Sequence, residues 1–256
     1  MKHSFLYDLN SIYLVLGLFI LMLAIIFAGY KTGLKKVNAD ADNSTLLSSL
    51  LALLGLLLAF TFGMSGSRYD ERRNYIITES NCIGTAMLRT DLYPDSISKT
   101  FKADFKHYLD ARIAFLEAGR HEEKLSKALK QAAAESNALW QRATSYSFSE
   151  SHRTASMLMI PALNEMFDSA SMVNESFNVT VPDSIVLLLL IFSAVSSFFI
   201  GYNCGIKKGF DKLLITGFCL LTCVVIYIIL DLDRPRRGLI HNSSQIHLLK
   251  ELNEGL

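Results

Sequence analysis

Cysteine and proline are scarce, with four of each in 256 residues. Cys82, Cys204, Cys219 and Cys223 show no paired spacing in a loop, and three of them fall in or beside apolar runs, so the pattern of a disulfide framework is absent. Cys219 and Cys223 share a helix face four residues apart, but no histidine lies near to complete a soft metal site, and small apolar packing is the expected use. The charge is nearly balanced, 25 basic against 24 acidic residues for a net +1, which removes bulk attraction to nucleic acid. There is no P-loop, dinucleotide fingerprint, His-Glu-x-x-His or nucleophile elbow. The histidines at 3, 107, 121, 152, 241 and 247 are scattered, and His121 beside Glu122 and Glu123 reads as a solvated helix start rather than a metal site. No enzyme, metal or cofactor is expected.

Charge is also missing from four long stretches. These are "SIYLVLGLFILMLAIIFAG" (11–29), "STLLSSLLALLGLLLAFTFGM" (44–64), "SIVLLLLIFSAVSSFFIGYNCG" (184–205) and "LLITGFCLLTCVVIYIIL" (213–230), none of which contains Asp, Glu, Lys, Arg or His. Each is close to the roughly 20 residues that a helix needs to cross a bilayer's hydrocarbon core. Tyr13, Tyr30, Tyr202 and Tyr227 stand near run ends, where aromatic belts form. The first run is long for a secretory leader and "IFAGYKTG" is a poor cleavage site, so an uncleaved span is expected.

The expectation is therefore an all-α membrane protein with four transmembrane helices. Short links at 30–43 and 206–212 make two hairpins, and a long polar region separates them. The expected organisation is a first hairpin over 1–64, an aqueous helical domain over 65–183, a second hairpin over 184–230, and a charged turn with a short amphipathic tail helix over 231–256. The middle region carries helical stripes: Phe101, Phe105, Tyr108, Arg112 and Phe115; then Leu125, Ala128, Leu129, Ala132, Leu139 and Trp140; then Ala155, Leu158, Met159, Ala162, Met166, Ala170, Val173 and Phe177. Pro94 and Gly119 punctuate it, and Pro161 is expected to kink a helix or mark a start. No proline interrupts the second run until Pro94, so one helix is expected from Thr45 to Leu92. In the tail, Ser243 or Ser244 is the expected cap, with Ile246, Leu249 and Leu252 as the apolar face.

"LDLDRPRRG" (230–238) follows the fourth run without a spacer. On a helix leaving the second run, Arg68, Arg72, Tyr75 and Glu79 form one stripe, which starts on the membrane face where Asp231, Asp233 and Arg234 emerge. An interhelical charge cluster is expected, with Asp231 or Asp233 paired to Arg68 or Arg72 and with Pro235 and Gly238 turning the chain away. The functional alternative is an ion-attracting vestibule. Ser193, Ser197, Gly201, Gly205 and Gly209 recur every four residues, a ladder suited to close helix packing within the chain or between subunits. Discounting the arginines that open the long region leaves six basic residues in the hairpin links (Lys31, Lys35, Lys36, Lys207, Lys208, Lys212) against four on the other face (Lys2, Arg234, Arg236, Arg237). That balance favours cytoplasmic links and an external helical domain.

"LLGLLLAFTFGMSGSRYDERRNYIITESNCIGTAMLRTDLYP", "LMIPALNEMFDSA" and "LDLDRPRRGLI", in that order, resemble the bacterial membrane proteins that carry a bestrophin-like domain. The resemblance runs from about the second run to the cluster after the fourth. It implies an α-helical homo-oligomeric ion channel, pentameric by analogy, in the bacterial plasma (inner) membrane, with the lipid bilayer, inorganic ions (anions among them) and further copies of the chain as its partners. It also implies a cytoplasmic helical domain, opposite to the charge balance. The acidic calcium clasp of bestrophins is absent, so calcium gating does not carry over. In such a channel Leu56, Phe60 and Phe62, near the end of the second charge-free run, are candidates for a hydrophobic pore constriction, on a face that the sequence does not identify. The rival reading is a non-conducting membrane scaffold or sensor whose helical domain binds a partner protein.

Overall fold

Hydropathy and helical periodicity account for nearly every element. The computed structural model describes residues 10–36, 44–234, 236 and 243–255, and among these there are helices and no strands. The expected turn at Pro235 and Gly238 lies outside the described residues, as do Lys2 and Arg237.

Helix α1 is Ser11–Leu34, and the Asn10 side chain caps it by accepting from the Ile12 N–H at 3.2 Å. Helix α2, Ser44–Leu88, has 45 residues, about 68 Å at the standard rise. Its continuation tightens into a 3-10 turn over Arg89–Leu92, so the helix reaches Leu92 as expected, with its last turn wound as 3-10. Pro94 ends it there: a residue before proline is pushed out of the helical region, and Tyr93 is extended at φ −100° and ψ 158°. Helices α3 (Asp95–Glu117), α4 (Glu122–Ser147) and α5 (Arg153–Ser176) follow. Pro161 lies inside α5 and does not start it. Its ring removes one backbone donor, and in the turn before it the Arg89 guanidinium donates to the Leu158 carbonyl. Helices α6 (Asp183–Ile206), α7 (Lys212–Asp233) and α8 (Ser243–Glu254) complete the order.

The chain forms two compact units. One comprises Met1–Tyr69 and Thr180–Arg234, the other Asp70–Val179 and Pro235–Leu256. The first holds α1, α6, α7 and the apolar part of α2. Among the described residues these are the four helices long and apolar enough to cross a membrane. Leu18, Met22 and Ile26 of α1 are buried with Val186 of α6 and with Ile215, Cys219, Cys223 and Ile226 of α7. The closest packing is between α1 and α6, and α1 also meets α7.

In the second unit the stripe residues turn inward. Phe101, Phe105, Tyr108, Arg112 and Phe115 of α3 are all buried. They pack with Ile76 and Ile83 of α2, Leu139 of α4, Met159, Leu163, Met166 and Val173 of α5, and Leu249 of α8. Two stripe residues stay exposed, Leu158 and Trp140.

Candidate functional site

The last turn of α7 puts Asp231 and Asp233 at a helix C-terminus, where the macrodipole disfavours negative charge. Both are nevertheless buried, as is Arg234, so each needs nearby donors or opposite charge. Asp233 has them. The Val181 N–H, just ahead of α6, donates to both of its carboxylate oxygens at 2.8 and 3.0 Å, and Arg68 Nη1 stands 3.6 Å from Oδ1. Arg234 Nη1 donates to the Ser11 hydroxyl at the start of α1, at 3.1 Å. The end of α7 thus touches the beginning of α1, the entry to α6 and the Arg68 turn of α2. One polar knot gathers all four apolar helices at the same end of the unit.

The expected cluster divides. Arg68, Asp233 and Arg234 belong to this knot, with Asp231 buried two residues before Asp233. Glu79 belongs to the second unit, where Arg112 grips it: Nε and Nη2 donate to its two carboxylate oxygens, the second at 3.1 Å. Arg72 is buried in the interval between them on α2. The third arm of Arg112, Nη1, donates to Asn174 Oδ1 at 2.9 Å. Burial works against the Arg112 charge, but Glu79 outweighs it and lifts the guanidinium above its ordinary pKa. Arg112 and Arg236 each lie 4.7 Å from the centre of the Phe115 ring. Burial, and then repulsion from Arg112, lower Arg236 to about 10. Sequence reasoning placed Arg112 on an apolar stripe without giving it a partner. A charge on a stripe that must be buried was the available signal. Ser11, Asn174 and Val181 gave no such signal.

The small-residue ladder meets α1. A methyl added at Gly201 would stand 2.9 Å from Ile26 Cα and overlap that residue's carbonyl, and one at Gly205 would stand 2.9 Å from Gly33 Cα. From the other side, a methyl at Gly29 would approach Tyr202 N to 3.0 Å. Ser193 and Ser197 are buried on the same helix. Gly209 lies beyond the end of α6 and has no such neighbour. With Gly201 and Gly205 occupied by α1, the ladder gives no support to a subunit interface.

Leu56, Phe60 and Phe62 are 50%, 65% and 45% exposed, so the chain by itself does not gather them. At 100° per residue Leu56 and Phe60 share a face of α2, whereas Phe62 is about 200° round from Phe60. Among the described residues no group of three or more His, Cys, Asp or Glu could hold a metal.

The whole chain can be compared with known proteins. A bacterial bestrophin homologue from Klebsiella pneumoniae, solved with a point mutation, is similar with a TM-score of 0.69 at 12% identity, covering 95% of this chain and 99% of that one. A second mutant of the Klebsiella pneumoniae protein gives 0.65 at 14% identity, covering 95% and 97%. A structure described as a membrane protein gives 0.66 at 13% identity, covering 96% and 97%. At these identities the likeness is one of fold. No curated protein matches the chain in sequence. The family model for the bestrophin-like domain matches residues 13–244, and the chain belongs to the bestrophin-like domain family.

Proposed function

We propose that the chain is one subunit of a homo-oligomeric ion channel in the bacterial plasma membrane, crossing it four times as two hairpins. Inorganic anions are the proposed cargo, a pentamer is the assembly by analogy, and the unit of α3, α4 and α5 is the aqueous domain. The observation that carries this reading is the bare face of α2. Only 11% of its most apolar window is buried within the chain, against 22%, 33% and 39% for α1, α6 and α7. Leu53, Leu56, Phe60, Gly63 and Ser67 follow one another at steps of three and four along it, and all are exposed. In a ring of subunits this stripe lines a pore, narrow and apolar at Leu56 and Phe60 and small or hydroxylated beyond, suited to gating by dewetting. The four apolar runs hold no Asp, Glu, Lys, Arg or His, which leaves a proton-coupled transporter without its usual relay residues.

The test is the mass of the purified protein in mild detergent, followed by planar-bilayer recording across a broad set of salts. A single oligomeric species and unitary currents are expected. A well-reconstituted protein that passes no current in any salt overturns the channel and leaves the scaffold reading.

A further inference from the structure

The helical unit contains an open cleft of about 510 Å³ between α3, α4 and α5, a volume suited to a small molecule. Its walls are chemically divided. Trp140 and Phe167, with ring centres 6.4 Å apart, and Phe167 with Tyr108, also 6.4 Å apart, make a continuous aromatic side. Arg112, Asn164 and Asn174 supply polar groups.

Asn174 Oδ1 is taken by Arg112, which leaves its amide NH2 to donate. Arg112 makes three hydrogen bonds, to Glu79 and Asn174, out of five available N–H groups. The hydroxyl of Tyr108 is buried with no hydrogen-bond partner. A buried polar atom without a partner is costly and calls for explanation. Around Arg112 the unused groups are thus mainly donors; further along the lining, Asn164 gives its amide to Asp168, and Ser136 and Ser171 give their hydroxyl hydrogens to backbone carbonyls, which leaves acceptors there. The charge has the same bias: Arg112 and Arg236 are close enough to repel, and the carboxylate that Arg112 grips is that of Glu79.

We propose that this cleft binds a small organic carboxylate, with its acid group toward Arg112, Asn174 and Tyr108 and its apolar body against Trp140 and Phe167. The carboxylate supplies acceptors to donors that lack them and offsets the excess positive charge. Tyr108 lines the cleft beside Arg112. The site belongs to the helical unit alone and is independent of conduction.

Trp140 is the one tryptophan of the chain, so its emission reports on the cleft directly. With the full chain in detergent, benzoate is expected to change that emission saturably, and benzamide to bind at least tenfold more weakly. Tyr108→Phe is expected to leave the melting temperature without benzoate unchanged, because the lost hydroxyl had no partner, and to weaken benzoate about tenfold. Asn174→Asp keeps an acceptor for Arg112 but replaces the amide donor with negative charge, and is expected to reverse preference from benzoate to benzylammonium. The proposal is overturned if benzoate gives no saturable response, if benzamide binds as tightly, or if both variants bind benzoate like the parent.

Discussion

Asp233 shows how a single side chain is held against its local preference. The end of α7 repels its charge, yet the Val181 N–H and Arg68 hold it in place. Asp233→Asn keeps the shape but loses the charge, and it turns one acceptor against the Val181 N–H into a donor. The expected loss is about 2 kcal/mol, in the range for charged hydrogen bonds. Arg68→Met is expected to cost less, because the pair is partly open to solvent. The double variant in thermal unfolding should lose less than the sum of the two, whereas additive losses would show that Arg68 and Asp233 act separately. Glu79 and Arg112 are the harder case, since both are essentially inaccessible. Arg112→Met alone strands a buried carboxylate and is expected to cost roughly 3–5 kcal/mol. Adding Glu79→Leu should recover most of it, since an apolar pair of similar volume removes the stranded charge. A double variant no more stable than the single would refute that account. Both charges were legible in the sequence, but their pairing was not. Glu79 and Arg112 are 33 residues apart on different helices, and the expected stripe grouped Glu79 with Arg68 because helical periodicity reports a shared face, not what covers it.

The helices themselves were legible because each length is set by a rule that acts locally. The apolar runs match a bilayer crossing, the stripes repeat at helical spacing, and Pro94 ends α2's extension. Which helix lies against which was less so. Hairpin spacing pairs neighbours in sequence, but the closest packing joins α1 to α6. The signal lay in Gly29, the last residue of the first run, and Gly33 four residues on in the same helix, which match Gly201 and Gly205. Gly201→Ala forces a methyl into the Ile26 backbone and is expected to destabilise by about 1–3 kcal/mol. Gly17→Ala, with open space around it, should be neutral or slightly stabilising in the same melting experiment. Equal effects at the two positions would refute the close approach. Past the end of α6, Lys208 takes φ +49°, while the Lys208 N–H donates to Gly205 and the Gly209 N–H to Cys204. This is the helix-ending motif that favours glycine at its left-handed position. Lys208→Gly should therefore stabilise by about 1 kcal/mol, the left-handed penalty for an ordinary residue. An unchanged or lower melting temperature would count against strain there.

At the scale of the molecule, what sequence can show ends at the chain's own surface. The absence of charge identifies four candidate spans because the hydrocarbon core penalises charge along the whole length of a span. A subunit interface or a pore wall has no such uniform requirement, and a leucine facing lipid reads the same as one facing a pore. The angles around α2 divide its exposed residues into two faces that mutation can tell apart. Leu56 and Phe60 share the proposed pore stripe, while Phe62, two residues further on, points about 200° away from Phe60. All three are exposed within the chain, so replacing any one by serine opens no cavity in its core. If the stripe lines the pore, Leu56→Ser and Phe60→Ser place a hydroxyl at the apolar constriction, favour its wetting, and raise open probability or conductance in bilayer recordings. Phe62→Ser lies off that stripe and should leave the currents as in the parent, with any effect confined to assembly or stability in detergent. The reverse pattern, with Phe62→Ser changing conduction and the other two silent, would place the pore on the opposite face of α2 and overturn the stripe assignment.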